Sequence, residues 1–135
     1  MPERIVVTTR MELEKHIDLN ISRDGPQCDL NHIDVFQMTD MRGVFAGSKF
    51  NGDISQWDVS NVTMMGYMFK SSAFDGDISR WNVAKVFDMR EMFYDCPFNG
   101  DLSQWHPPMN LIGTPFERWH PSILGIYSAL SPYFK

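Results

Sequence analysis

Four aspartates, Asp29, Asp53, Asp77 and Asp101, recur at a constant spacing of 24 residues. Carboxylates in such a column suit one of two chemistries. Stacked side by side, they would offer several oxygen ligands to a hard cation such as calcium. Alternatively, each accepts backbone N–H groups within its own turn, which also keeps it ionised. The Gly-Asp context lacks the ligand density of a calcium loop. The turn role is therefore expected, and no metal or cofactor is assigned.

The other reactive side chains carry less. Met41, Met65 and Met89 form a column that would suit a soft metal, but they lie beside Phe45, Phe69 and Phe93, which points to core packing. Cys96 falls in the column of Ser48 and Ser72 and reads as a packed thiol; Cys28 stands where Gly52, Gly76 and Gly100 follow, with its exposure open. The two cysteines suggest neither a disulfide framework nor a metal site. His16, His32, His106 and His120 show no ligand spacing such as HExxH, and there is no phosphate loop. No catalytic residue is assigned, and the chain reads as non-enzymatic. The enzymatic rival would rest on His106, Glu117 and His120.

The elements that position these groups follow from a phrase. FNGDISQW at Phe50 returns as FDGDISRW at Phe74 and FNGDLSQW at Phe98, 24 residues apart each time. An active site needs its parts once, whereas a unit at fixed period implies stacking. In that register Val44, Met68 and Met92 align, as do Ile54, Ile78 and Leu102, then Trp57, Trp81 and Trp105. Val59 matches Val83, with Pro107 in the third place. The repeats are 38–61, 62–85 and 86–109, and DLNHIDV at Asp29–Val35 is a worn half-unit before them.

Within a unit, Met41, Val44 and Phe45 are spaced i, i+3, i+4, which predicts a short helix. Trp57 and Val59 alternate with Asp58 and Ser60, which predicts a short strand. Asn-Gly or Asp-Gly turns lie between. Parallel stacking of such units gives a right-handed α/β solenoid in which each coil buries its neighbour.

The phrases FNGDISQWDVSNVT and MTDMRGVF closely resemble the bacterial surface-protein repeat of mycoplasma-type lipoproteins, related to BspA-like leucine-rich repeats. GPQCDLNHIDV resembles the entry segment that precedes such arrays, and the resemblance spans roughly Gly25 to Trp105. It implies a leucine-rich-repeat-like solenoid and brings no enzymatic activity or catalytic residues.

The ends read as caps of a single domain, 1–37 and 110–135. Ile5–Val7 is a short β-branched run; Thr9 and Glu12 form a capping box that opens a helix to about Ser22, with Met11, Leu13, His16 and Ile17 near one face. Asp24, Gly25 and Pro26 stop it. A right-handed crossover would lay Ile5–Val7 parallel to Leu30–Val35. Beyond Pro107-Pro108, a second capping box at Thr114–Glu117 opens a helical tail expected to cover the last unit. A dimerising tail is the rival, though a monomer is expected.

A net charge of −5 argues against a nucleic-acid partner, which needs a clustered basic surface. No signal peptide or long apolar run is visible, so the sequence reads as cytoplasmic without membrane insertion, delivery by another route staying open. What remains is surface. Gln56, Asp58, Ser60, Arg80, Asn82, Gln104 and His106 lie between inward strand positions and change from unit to unit while the apolar columns stay fixed. Variable display on a constant scaffold suits recognition of a protein partner, by an adaptor, effector or inhibitor. The alternative is a self-associating structural or surface-protein unit.

Overall fold

Strand β1 (Ile5–Val6) pairs in parallel with β2 (Ile33–Asp34), Ile5 against Ile33 and Val6 against Asp34, with helix α1 (Arg10–Asp24) between them. The computed structural model describes residues 3–108. The helix starts where its side chains satisfy the free N–H groups of a first turn. Thr9 Oγ1 accepts from the Glu12 N–H at 3.2 Å, and Glu12 Oε1 accepts from the Thr8 N–H and the Thr8 and Thr9 hydroxyls. It ends at Gly25, whose φ of 90° and N–H bond to the Ile21 carbonyl close the last turn two residues later than the sequence suggests.

Leu13 and Ile17 form the buried face of α1, joined by Asn20, while Met11 is 81% exposed. The sequence placed Met11 with that face; at 100° per residue it lies about 200° around the helix from Leu13. Asn20 is tolerated inside because its amide donates to the His16 carbonyl at 2.7 Å and its oxygen accepts from Arg23.

After β2 the described residues hold turns and isolated parallel bridges, at Asp40–Met64 and Met64–Asp88, and a further bridge joins Asp53 back to Asp29, before β2. Neither the short helix nor the regular strand expected in each 24-residue unit is formed there. Backbone handedness explains the first difference. Gly43 and Gly47 have φ near 68° and 67°, and Tyr67, Ser71, Glu91 and Asp95, one and two periods on, also adopt positive φ. A left-handed residue every fourth position breaks an α-helix, which needs successive right-handed residues. It turns alternate N–H groups out of the segment. Those of Met41, Gly43, Phe45 and Gly47 donate to the carbonyls of Met64, Gly66, Met68 and Lys70 at 2.8–3.1 Å. Met65, Tyr67, Phe69 and Ser71 donate likewise to Asp88, Arg90, Met92 and Tyr94. Each unit thus hydrogen-bonds to the next through the stretch that had read as helical.

The Trp57–Val59 stretch is a corner. Trp57 N–H bonds to Ile54 and Val62 N–H to Val59, three residues apart each time. The alternation of burial survives without a ladder, since Trp57 and Val59 are buried and Asp58 is exposed.

The core is a set of columns. Phe45, Phe69 and Phe93 stack with ring centroids 5.4 and 5.7 Å apart; Phe50, Phe74 and Phe98 stack at 6.2 and 6.1 Å. These offset-stacked spacings fall within the favourable range for aromatic pairs. Trp57 and Trp81 lie 6.3 Å apart. The indole N–H groups of Trp57, Trp81 and Trp105 donate to the carbonyls of Leu30, Ile54 and Ile78 at 2.9–3.1 Å. That bond accounts for tryptophan rather than phenylalanine in this column: the large ring fills the core while its one polar atom ties back to the preceding unit. Leu30, Ile33 and Val35 are buried beneath the first unit, and Pro107 stays buried in the valine column. Gly52 has no room for a side chain, because a Cβ there would overlap the Cys28 carbonyl oxygen. The C-terminal cover expected over 110–135, with its capping box at Thr114, lies outside the described residues.

Candidate functional site

The displayed positions are placed by the corners. Burial of Trp57, Val59, Trp81, Val83 and Trp105 turns the intervening residues out: Gln56, Asp58, Arg80, Asn82, Gln104 and His106 are exposed and Ser60 is half-buried. Several also hold their own turns. Asp58 Oδ1 accepts from the Ser60 N–H at 3.0 Å and its hydroxyl at 2.6 Å, and Asn82 Oδ1 accepts from the Ala84 N–H. Asp58 and Ser60 are therefore partly committed to local geometry. Arg80, Asn82, Gln104 and His106 come together around an open groove of about 530 Å³, which Ser79, Ala84 and Asp101 also line. Gln56, Asp58 and Ser60 do not line it. The groove presents a guanidinium, an imidazole and two amides over the buried Trp81, a mixture suited to hydrogen-bonding a peptide or other polar chain.

The aspartate column is engaged within its turns. Asp53 and Asp77 each accept both the backbone N–H and the hydroxyl of the serine two residues on, at 2.7–2.9 Å. Asp101 accepts from the Ser103 N–H and Asp29 from the Asn31 N–H. The serine hydroxyl bonds, followed by the backbone N–H, hold Asp53, Asp77 and Asp101 below the ordinary carboxylate pKa. Among the described residues, no three His, Cys, Asp or Glu side chains gather as a metal set. Cys28 and Cys96 are both buried free thiols, and burial raises their pKa, which disfavours the nucleophilic thiolate. Cys96 Sγ donates to the Phe74 carbonyl at 3.2 Å and lies 3.5 Å from the Ser72 hydroxyl, so it replaces a serine within a packed column. His16 and His32 are half-buried and apart from the groove that His106 lines, while Glu117 and His120 lie outside the described residues.

A second polar surface went unread in the sequence, on the turns that carry the inter-unit ladder. Asp40 and Arg42 form a two-point ion pair, with Nε–Oδ1 at 2.9 Å and Nη2–Oδ2 at 2.8 Å; Asp88 and Arg90 repeat it at 3.0 and 3.1 Å. In the unit between, Met64 and Gly66 occupy these places. Lys70 Nζ sits 5.4 Å from the ring centres of both Tyr67 and Tyr94, and 3.8 Å from Glu91. The Asp-Met-Arg strings at 40–42 and 88–90 were visible as a signal, but the helical reading of this segment concealed what they face.

A family model described as "Mycoplasma protein of unknown function, DUF285" matches residues 19–111. No curated protein matches the chain. No solved structure matches it either.

Proposed function

The chain belongs to the Mycoplasma family of unknown function DUF285, and from that premise we propose that it is a binding module with a solenoid architecture akin to BspA-like leucine-rich repeats. It acts without catalysis, by holding a protein partner against the face formed by Gln56, Asp58, Ser60, Arg80, Asn82, Gln104 and His106. One observation carries this reading. At the groove, Arg80 and Asn82 of one unit are followed by Gln104 and His106 of the next, while the tryptophans beneath them, Trp81 and Trp105, are constant and buried. A rigid set of stacked columns fixes the backbone of each corner, so substitution at the tip changes the surface without disturbing the core.

Within the face, Arg80, Asn82, Gln104 and His106 form the centre, and Asp58 and Ser60 the margin. Arginine fits the centre of an interface because its planar fork binds carboxylate and carbonyl groups at two points. The test is chemical cross-linking of the protein with the proteins of its own cell, followed by affinity measurement with whichever one is captured. Arg80→Ala combined with Gln104→Ala is expected to abolish that affinity with the melting temperature unchanged. Full affinity in the folded double variant would refute the assignment.

A further inference from the structure

Arg10, Arg42, Gly43, Tyr67 and Arg90 line a shallow depression of about 250 Å³ on the turn surface, made of different residues from the displayed groove. We propose that this depression binds an oxyanion, the carboxylate or phosphate of a ligand, between the guanidinium groups of Arg42 and Arg90 with Arg10 at its side.

The repeat register makes the space. Arg42 and Arg90 stand two units apart, about 10 Å at the spacing of hydrogen-bonded neighbours. The intervening unit places Gly66 where they place arginine. Gly66 is buried against the Asp88 carboxylate, whose Oδ1 would lie 3.1 Å from a Cβ, so even a methyl group there would crowd the pair. The gap therefore has a floor of backbone and arginines on two sides. A carboxylate or phosphate, with its hydrogen bonds, fills a span of that order.

The donors are already oriented. Arg42 and Arg90 each use Nε and Nη2 on their own aspartate, and neither Nη1 has a hydrogen-bond partner among the described residues. Arg10, at the start of α1, donates through Nη1 to the Arg42 carbonyl and lies 3.4 Å from Asp40, which fixes its position. Three guanidinium groups meet two carboxylates, leaving one positive charge in a chain of net charge −5. An anion would balance it, and Tyr67 completes the lining beside the arginines.

The test measures the melting temperature of the full chain during titration with sodium phosphate and, separately, sodium acetate, at constant ionic strength and pH 7. Binding raises the melting temperature in a saturable manner, by roughly 3–6 °C at ten times the dissociation constant. Arg42→Gln and Arg10→Gln are expected to reduce or abolish the rise. Arg10→Gln removes one ion pair at 3.4 Å and one surface hydrogen bond to the Arg42 carbonyl. It leaves both Asp–Arg forks in place, so it keeps the test valid should Arg42→Gln fold poorly. A variant-sensitive response to phosphate or to acetate identifies the anion class and supports the site. A rise that does not saturate and is equal in all three proteins would be the general effect of excluded salts. That result, or no rise with either anion, would overturn the proposal and leave Gly66 with the sole role of separating like charges.

Discussion

The N-terminal strand-helix-strand and the repeated units after it are held together in opposite ways. The first owes its form to hydrogen bonds along one helix and one strand pair, and its helix turns only Leu13, Ile17 and Asn20 fully inward. The units have no regular helix or strand among the described residues, yet they bury stacked phenylalanines, tryptophans and methionines almost completely. Regular secondary structure is therefore a poor guide to where the stability of this chain lies. In the units, one backbone bond in alternate residues and one side chain per column are each matched a period later, so contacts reinforce one another across units.

The largest effect should come from breaking a column. Trp81→Ala removes a buried ring and its bond to the Ile54 carbonyl, and should destabilise the protein by about 3–5 kcal/mol in denaturant titration. Asp58→Ala, on the exposed side of the preceding corner, should cost far less. Equal losses would reverse the assignment of inward and outward faces.

Next in size is an ion pair. Asp88 keeps 5% of its side-chain exposure and Asp40 keeps 25%. Removing the arginine from the more buried carboxylate leaves it the less compensated. Arg90→Ala should thus cost about 1–3 kcal/mol, and Arg42→Ala less, by the same titration. The opposite order would show that burial does not govern these pairs.

In the N-terminal region the sensitive point is a cap. Thr9→Ala should cost about 1 kcal/mol and raise amide exchange chiefly in the first turn of α1. An equal rise in exchange at Phe69 would show that the two regions are one cooperative unit.

The smallest effect concerns acid. Asp53, Asp77 and Asp101 have lowered pKa values through bonds to their serines, and Glu12 through bonds to Thr8. A depressed pKa contributes stability that is complete above the unfolded value, about 3.9 for Asp and 4.3 for Glu. It is lost as pH falls through the lower folded values. The melting temperature should therefore decline below about pH 4, and Asp77→Asn should make that decline shallower. Calcium and chelator should both leave the curve in place at neutral pH; a saturable calcium shift that Asp77→Asn removes would instead make the column a cation site.

The two regions also differed in legibility. The capping box at Thr9 and Glu12, the stop around Gly25 and the parallel placing of the first strand beside the Leu30–Val35 segment all follow from local signals, though the register of Ile5 against Ile33 does not. Each depends on residues close in sequence or on one handed crossover. The columns were legible too, because a fixed period puts like residues together whatever the backbone does. The backbone of the units was not. Met41, Val44 and Phe45 share one side of a helix, but they share one side of a chain of turns equally well. The left-handed positions that decide between the two carry glycine in the first unit and Tyr67, Ser71, Glu91 and Asp95 in the others. A glycine announces positive φ; a tyrosine or glutamate does not. The Arg42–Arg90 depression was hidden for the same reason, since only the turns bring those arginines to one surface. The exposure of Arg80, Asn82, Gln104 and His106 follows from alternation with buried neighbours, but their gathering around one groove, without Gln56, Asp58 and Ser60, does not.

Hydrogen exchange of single amides in the native protein tests the central contrast most directly. The amides of Met65, Tyr67 and Phe69 donate across units to Asp88, Arg90 and Met92, whereas those of α1 close a helix whose outer face is solvated. If the columns hold the molecule, these cross-unit amides exchange only through global unfolding, and the amides of α1 open at lower free energy. Protection of α1 equal to or greater than that of Met65, Tyr67 and Phe69 would contradict the account.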